Sequence, residues 1–298
     1  RYSFLPCLSV RRLTQMYSAV LSVLLMGMLP AVRSADATPR AAQTLTVSSP
    51  SPLRVQALSS ELGRQVTASG VLVLDFQSGQ QVFGRRARER RPVGSLTKLM
   101  TALLIIESHP LAEEVTIPAA VSSIEGQSAH LQPGSHFTVG DLLSAMLIPS
   151  ANDASVALAI HHSGSVDAFV KEMNTRARAL GLRDTAYANP SGLDDRKQWS
   201  SARDTAMLAA FVMRSKELRA RMSTREAEIK SKEGQVIKLA HTHALLQPEG
   251  TVLAGKTGTT PAAKQCLLSL VRAGGREYLV VLLGSRDRRD APARGVDS

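Results

Sequence analysis

The predicted strands of this chain lie in two groups, one over 71–83 and one over 252–283, with predicted helices between them. Alternating apolar residues predict a β-hairpin from strands over 71–76 and 81–83. The last third predicts strands over 252–255, 265–271 and 277–283. These strands form one sheet only if the C-terminal hairpin meets the N-terminal one. The order therefore predicts one α+β domain, with an antiparallel sheet flanked by helices and a helical lobe from the middle of the chain.

Helix signals fill the segment between the two groups of strands. Thr138-Val139-Gly140-Asp141 has the pattern of a capping box, and Gly181 ends a clear helical pattern. Helices are predicted over 95–106, 142–147, 154–161, 167–180 and 201–212, and one more over 53–66.

The N-terminal segment predicts export. Arg11-Arg12 precedes an uncharged, largely apolar stretch over 17–29, which is too short for a comfortable membrane span and is followed by small residues. An uncleaved membrane anchor is the alternative. We expect a periplasmic or secreted protein with no stable membrane anchor after cleavage. The expected organisation is a signal peptide over 1–35, a flexible linker over 36–55, a catalytic domain over 56–285 and a polar tail over 286–298.

Charge and cysteine content narrow the function classes. The formal net charge is +11, which indicates either a solvated basic surface or a surface that binds an anionic polymer. Aromatic residues make up 4% and do not interleave with basic ones, so nucleic-acid binding by base stacking is disfavoured. Cys7 precedes the apolar stretch, and Cys266 lies in a predicted buried strand, where a small core residue is its expected role. Cleavage would therefore leave no internal disulfide.

The run Ser95-Leu96-Thr97-Lys98 opens the first long apolar helix and is the one Ser-x-x-Lys of the sequence. Residues i and i+3 share a helix face, so the hydroxyl of Ser95 would lie beside the amine of Lys98. That pair supplies a nucleophile and a base within one helical turn. A helix cap followed by a surface lysine is the alternative.

Two more short motifs follow, and each occurs once. Ser150-Ala151-Asn152 lies in a predicted loop between two helices, and Lys256-Thr257-Gly258-Thr259-Thr260 lies on or just after a predicted strand. In this order and in these structural contexts, the three motifs resemble the signatures of the penicillin-binding proteins and serine β-lactamases.

The chemistry of acyl transfer requires these residue types. We expect Ser95 to be the nucleophile and Lys98 to accept its proton, which requires a neutral amine, whereas a free lysine titrates near ~10.4. Burial against Leu99 and Leu103 is expected to lower the pKa of Lys98. The positive charge of Lys256 is expected to lower it more.

The other motif residues have expected roles around this pair. Ser150 is expected to relay a proton to the leaving group, and Asn152 to hold Lys98 or a substrate amide. The backbone N–H groups of Ser95 and Thr259 are expected to form the oxyanion hole. Residues suited to a substrate and its carboxylate are Lys256, Thr257, Gly258 and Thr259.

Beyond the motifs, most of residues 68–284 resembles the low-molecular-weight D-alanyl-D-alanine carboxypeptidases of serine peptidase family S11. The resemblance implies the transpeptidase-like fold of penicillin-binding proteins and serine β-lactamases. It also implies a peptidoglycan pentapeptide substrate, release of the terminal D-Ala, acylation by β-lactams such as penicillin, and no cofactor. The resembling stretches are 91–102, 131–134, 141–154, 189–194, 201–204 and 256–263.

The sequence departs from the family pattern in places. Lys264 stands where the family usually has Gly. The C-terminal β-domain and amphipathic anchor helix of many relatives are not recognised in it. Arg286 and Arg288 are candidates for a basic residue that relatives often place near the substrate carboxylate, with solvated charge as the alternative.

Other functions share parts of this pattern. A murein DD-endopeptidase uses the same three motifs on cross-linked peptides, and a penicilloyl-binding sensor or wall-binding module would bind without turnover. A class A β-lactamase needs a deacylating Glu in a Glu-x-x-Leu-Asn segment, which the sequence lacks. Slow turnover of the penicilloyl-enzyme is therefore expected.

Histidines raise the question of a zinc site. His241-Thr242-His243 offers two ligands, and His161-His162 lies elsewhere, but a third ligand at a familiar spacing is missing from the sequence. Surface or loop histidines are the preferred interpretation, and no metal is expected.

Overall fold

Residues 66–248 and 250–286 are described by the computed structural model. Of the described residues, 66–67 and 273–275 belong to one unit, and 68–248, 250–272 and 276–286 belong to the other. The candidate site lies in the second unit. The predicted signal peptide and linker lie outside the described residues, as do all but the last residue of the helix predicted over 53–66 and all but the first of the polar tail.

The strands form one large sheet and two small ones. The large sheet has five strands in the order β2-β1-β9-β8-β7, and its pairings β1 with β2, β1 with β9, and β7 with β8 are antiparallel. The C-terminal hairpin therefore closes the sheet against the N-terminal one, as predicted. Strand bounds are β1 Gly70–Asp75, β2 Gln81–Arg85, β3 Glu114–Thr116, β4 His136–Thr138, β5 Glu226–Lys230, β6 Val236–Ala240, β7 Val252–Thr260, β8 Lys264–Ala273 and β9 Arg276–Ser285.

Two features of the sheets were not predicted. β7 continues through the whole Lys256–Thr260 motif, where the sequence indicated a strand only over 252–255. The pairs β3–β4 and β5–β6 form separate two-stranded sheets. Their strands of three to five residues carry too few alternating positions to stand out in the sequence.

The helices follow the predicted order, with one addition, α6. Ser95 lies on a 3₁₀ turn, Gly94–Thr97, that leads directly into α1. The predicted capping box is present, because the Thr138 hydroxyl and the Asp141 carboxylate each accept from the other's backbone N–H. Helix bounds are α1 Lys98–Ser108, α2 Val139–Leu147, α3 Asn152–Ser163, α4 Val166–Ala179, α5 Ala202–Val212 and α6 Lys216–Ser223.

α1 lies at the centre of the core. α5 packs on β1 and β9, and α1 in turn contacts α5 and α3. Leu99, Met100 and Ile105 of α1 have no exposed surface. Cys266 is a free, buried residue of β8, as its predicted core role requires. Within the described ranges, no helix is both long and apolar enough to cross a membrane.

Candidate active site

Ser95 and Lys98 meet where the 3₁₀ turn joins α1. The Nζ atom of Lys98 lies 2.9 Å from Oγ of Ser95. Lys98 is wholly buried, which is rare for a lysine, whereas Ser95 is partly exposed. A reactive hydroxyl is thus open to solvent on one side and touches a buried amine on the other.

Two further contacts hold the Lys98 amine in place. It donates to Oδ1 of Asn152 at 2.7 Å and to the backbone oxygen of Ser191 at 2.6 Å. Asn152 is oriented by its Nδ2 group, which donates to the backbone oxygen of Glu125 at 2.8 Å, so its Oδ1 can only accept. A neutral amine has two N–H donors and one lone pair. A charged amine would donate its three N–H groups to these two acceptors and to Ser95 Oγ, whereas a neutral amine would keep a lone pair that can accept the hydroxyl proton of Ser95.

Burial is the main cause that holds the pKa of Lys98 well below the ordinary lysine value. The charge of Lys256 lowers the pKa further, and the carboxylate of Asp153 acts in the opposite direction. The sequence interpretation ranked the charge of Lys256 above burial. That ranking was wrong, because it could not include the complete removal of the amine from solvent.

Ser150 and Lys256 form a second buried pair. Lys256 Nζ donates to Oγ of Ser150 at 2.6 Å and to the backbone oxygen of Thr257 at 3.0 Å. Ser150 has φ of +71°, a left-handed conformation that is uncommon outside glycine and that occurs at functional sites. Burial lowers the pKa of Lys256 to about 7.

β7 passes directly beside the 3₁₀ turn at Gly258. A Cβ atom on Gly258 would lie 2.7 Å from the carbonyl oxygen of Val93 and 2.9 Å from the backbone N of Ser95. Gly258 thus permits a close approach between strand and turn. The same contact places Thr259 near the turn as well, since a Cβ on Gly94, the neighbour of Ser95, would lie 3.2 Å from Thr259 N. The backbone N atoms of Ser95 and Thr259 therefore lie on the same side of the site.

The threonines of the motif lie on the more exposed side of β7. Side chains alternate along a strand, so Lys256 and Gly258 are buried while Thr257 is half-buried and Thr259 is exposed. The Thr257 hydroxyl lies 2.5 Å from that of Thr242.

Sequence reasoning missed the part played by Ser191. Its backbone oxygen holds Lys98, and the Asn189 side chain holds the loop by accepting from the backbone N–H groups of Ser191 and Gly192. Gly192 has φ of +93°, and a Cβ there would lie 2.0 Å from the carbonyl oxygen of Gly94. The stretch 189–194 was noted as resembling the family, which was the available signal.

The other sequence candidates lie around the site or outside the described residues. His241 and His243 are in a loop as expected, the first half-buried and the second buried, and burial lowers their pKa values to about 3 and about 4. Arg286 is exposed at the end of β9, and Arg288 lies outside the described residues. Lys264 has φ of +57°, which explains why glycine suits that position.

Comparisons with known proteins agree with this geometry. A family model described as D-alanyl-D-alanine carboxypeptidase matches residues 55–287. The D-alanyl-D-alanine carboxypeptidase DacF of Bacillus subtilis is 31% identical over 241 residues, which is 79% of this chain and 61% of that protein. A D-alanyl-D-alanine endopeptidase of Pseudomonas aeruginosa is 35% identical over 150 residues, 49% of this chain and 48% of that protein. The chain thus spans only part of the length of these two curated relatives.

Among solved structures, the crystal structure of a Streptomyces DD-transpeptidase is similar, with a TM-score of 0.70 and 29% sequence identity. The similarity covers 74% of this chain and 91% of that one. The predicted α+β fold of penicillin-binding proteins is therefore confirmed.

Proposed function

We infer the function of this chain from its family, since it belongs to the D-alanyl-D-alanine carboxypeptidase family of serine peptidases. We propose that it is an exported serine DD-carboxypeptidase that removes the terminal D-Ala from peptidoglycan pentapeptides and that β-lactams acylate it. The boundaries of the signal peptide, linker, catalytic domain and tail stay predictions.

One observation carries this proposal: the amine of Lys98 lies 2.9 Å from the hydroxyl of Ser95 and is wholly buried, and burial favours the neutral form that can accept a proton. Asn152 Oδ1 and Ser191 O hold the amine in this position. A solvated surface lysine beside a helix cap would have neither complete burial nor these partners. A general base next to a hydroxyl is the arrangement that nucleophilic catalysis requires.

Both half-reactions, acylation and hydrolysis, follow from this arrangement. Ser95 Oγ attacks the carbonyl carbon of the penultimate D-Ala while its proton passes to Lys98 Nζ. The oxygen that gains negative charge would accept from the backbone N–H groups of Ser95 and Thr259. Collapse of the tetrahedral intermediate breaks the C–N bond and leaves an acyl-enzyme. Water then attacks that ester and regenerates the Ser95 hydroxyl.

The leaving D-Ala amine needs a proton and the substrate carboxylate needs a positive partner. Ser150 lies 2.6 Å from Lys256, so its hydroxyl suits proton relay to the amine. Lys256 in its charged form, with Thr257, Gly258 and Thr259 along β7, suits the C-terminal carboxylate. A bound carboxylate would favour the charged form of Lys256, whose pKa is about 7 without it.

A DD-endopeptidase is the second candidate, because the Pseudomonas relative bears that name. The two reactions use the same acyl-enzyme chemistry and differ in whether the leaving amine is free D-Ala or a cross-linked peptide. A sensor that binds without turnover is the third candidate, and the complete Ser95, Lys98 and Lys256 arrangement argues against it.

Incubation with a monomeric pentapeptide and with a cross-linked dimer, followed by mass analysis of the products, tests the proposal. We expect D-Ala from the pentapeptide and no product from Ser95→Ala. Ser123→Ala is the matched control, because Ser123 is an exposed serine that bonds only to a backbone oxygen among its described contacts. Cleavage of the dimer alone would support the endopeptidase, and equal D-Ala release by wild type and Ser95→Ala would contradict the assignment of Ser95.

A further inference from the structure

A cluster of three histidines and two glutamates lies at the C-terminal ends of α1 and α3. We define this histidine cluster as His109, Glu113, His161, His162 and Glu172. The two oxygens of Glu113 face His109 Nδ1 at 2.9 Å and His161 Nε2 at 2.8 Å. On its other side, His109 Nε2 lies 2.9 Å from His162 Nδ1, and His162 Nε2 lies 2.9 Å from Glu172.

The chain of contacts from Glu113 through His109 and His162 to Glu172 lacks one proton. It contains three contacts, and each needs a hydrogen between the two heavy atoms. A neutral imidazole carries one N–H, so His109 and His162 bring two. Because Glu172 as a carboxylate only accepts, His162 Nε2 must donate, and His109 Nε2 must then donate to His162. The lone pair of His109 Nδ1 is left facing the carboxylate of Glu113, and a positive charge must sit between them.

We propose that this positive charge is a divalent transition-metal ion of the Zn²⁺ type, held by His109 Nδ1, Glu113 and His161 Nε2. One ligand atom from each of these residues already lies within 4.8 Å of the others. Around a tetrahedral Zn²⁺ with bonds of about 2.0–2.1 Å, ligand atoms are about 3.4 Å apart, so small side-chain movements form the site. Two histidines and one glutamate leave the fourth position to water.

The surroundings support a bound cation. The pair His162–Glu172 fixes the tautomer of His109 that presents a lone pair to the metal, and a hydrogen bond from the other ring N–H orients a metal-bound histidine in this way. Phe169, wholly buried, contacts the ring of His162 edge-on at 5.4 Å, and the Ser163 hydroxyl donates to Glu172 at 2.7 Å. Helix C-termini carry partial negative charge, and two of them end here.

The location gives the site a structural role. α1 begins at Lys98 and α3 begins at Asn152, whose side chains are hydrogen-bonded, and the same two helices end at the histidine cluster. With 1.5 Å per residue, the 11 residues of α1 put the cluster about 16 Å from the catalytic lysine. A metal ion here would join the far ends of the two helices that position the reactive pair. The sequence interpretation set aside His161 and His162 because no third ligand stands at a familiar spacing. His109 and Glu113, which the fold brings beside them, are distant in sequence.

The test is Zn²⁺ titration of the tag-free full chain after treatment with a chelator, followed by calorimetry and thermal unfolding, with Co²⁺ as a spectroscopic probe. We expect one Zn²⁺ per chain at low micromolar affinity or tighter, a raised Tm, and intense visible Co²⁺ bands typical of tetrahedral geometry. His161→Gln should abolish all three. Glu172→Gln, an exposed position that leaves the ligands intact, should weaken Zn²⁺ binding by about 10–100-fold.

His136→Gln is the matched control, because His136 pairs with Glu233 at 2.6 Å and, among the described residues, is not part of the metal-ligand group of His109, Glu113 and His161. It should bind Zn²⁺ like the wild type. The proposal is overturned if the wild-type chain takes up no stoichiometric Zn²⁺, which would leave a proton as the charge in the cluster, or if His161→Gln binds as tightly as wild type. These outcomes do not depend on the peptidase proposal, since binding is measured without substrate.

Discussion

Lys98 and Asn152 are the first residues of α1 and α3, and a 2.7 Å hydrogen bond joins their side chains. Asn152 donates in turn to the backbone oxygen of Glu125, so its amide oxygen is fixed toward Lys98. The residue that the sequence assigned either to Lys98 or to the substrate therefore holds Lys98. Its neutral acceptor supports the amine without adding a charge that would favour protonation.

Asn152→Asp should convert the base into an ammonium ion. A carboxylate next to the amine would raise the pKa of Lys98, because a negative charge favours the ammonium form. We expect acylation by a β-lactam to slow at neutral pH and to recover as pH rises. Asn152→Ala removes the acceptor without adding charge. It should lower the acylation rate but move the acid limb of the pH–rate profile less than Asn152→Asp does. An unchanged acid limb in Asn152→Asp would contradict the neutral-amine mechanism.

Lys256→Gln separates the effects of burial and charge on Lys98. Loss of the Lys256 charge should raise the pKa of Lys98, yet burial, the larger cause, should keep it well below 10.5. The acid limb of the acylation rate should therefore move only part of the way toward alkaline pH. Lys256→Arg carries a permanent charge, so it should not raise the pKa of Lys98 and serves as the control. A limb that returns to the ordinary lysine range would show that charge is the main cause.

Lys98→Met should change how stability depends on pH. The pKa of Lys98 is lowered on folding, so the unfolded chain binds more protons between the folded pKa and 10.5. Wild-type stability from this group therefore rises with pH through that interval and is lowest on its acid side. Chemical denaturation should show the free energy of unfolding of Lys98→Met, relative to wild type, falling as pH rises. A difference that is constant with pH would disprove the buried neutral amine.

Gly258→Ala should disturb the site without a change of charge. The new Cβ would lie 2.7 Å from the Val93 oxygen and 2.9 Å from the Ser95 N atom, so strand and turn must separate. A misplacement of about 1 Å can cost roughly 10²-fold in rate, and we expect a loss of this order in acylation. In the control Gly70→Ala the nearest atom to the Cβ is at 3.6 Å, and activity should be retained. Similar rates for both variants would argue against this role of Gly258.

Much of the fold was predictable because local patterns and long-range packing agree. The capping box at Thr138 and the paired glycines Gly274 and Gly275, both with positive φ, are local signals that the structure retains. The small sheets and α6 were not predicted. α6, Lys216–Ser223, buries only Leu218 and Met222, too few apolar residues to give a clear helical period.

The candidate site, like the fold, was predictable only in part. Its candidate side chains were identified from three short motifs, and their pairs Ser95–Lys98 and Ser150–Lys256 lie within hydrogen-bonding distance. The groups that hold and bury the amine were not identifiable from the sequence. Ser191 acts through its backbone oxygen, which every residue type has, and complete burial of Lys98 depends on packing from distant segments.

The most direct test of the central claim is a pH titration of the lysine Cε resonances by NMR, in protein labelled with ¹³C-lysine. The spectrum of Lys98→Met identifies the signal of Lys98 by its absence. We predict that this signal keeps the chemical shift of a neutral amine through neutral pH, and that the Lys256 signal titrates near about 7. A Lys98 signal that titrates with the exposed lysines, near ~10.4, would contradict the account.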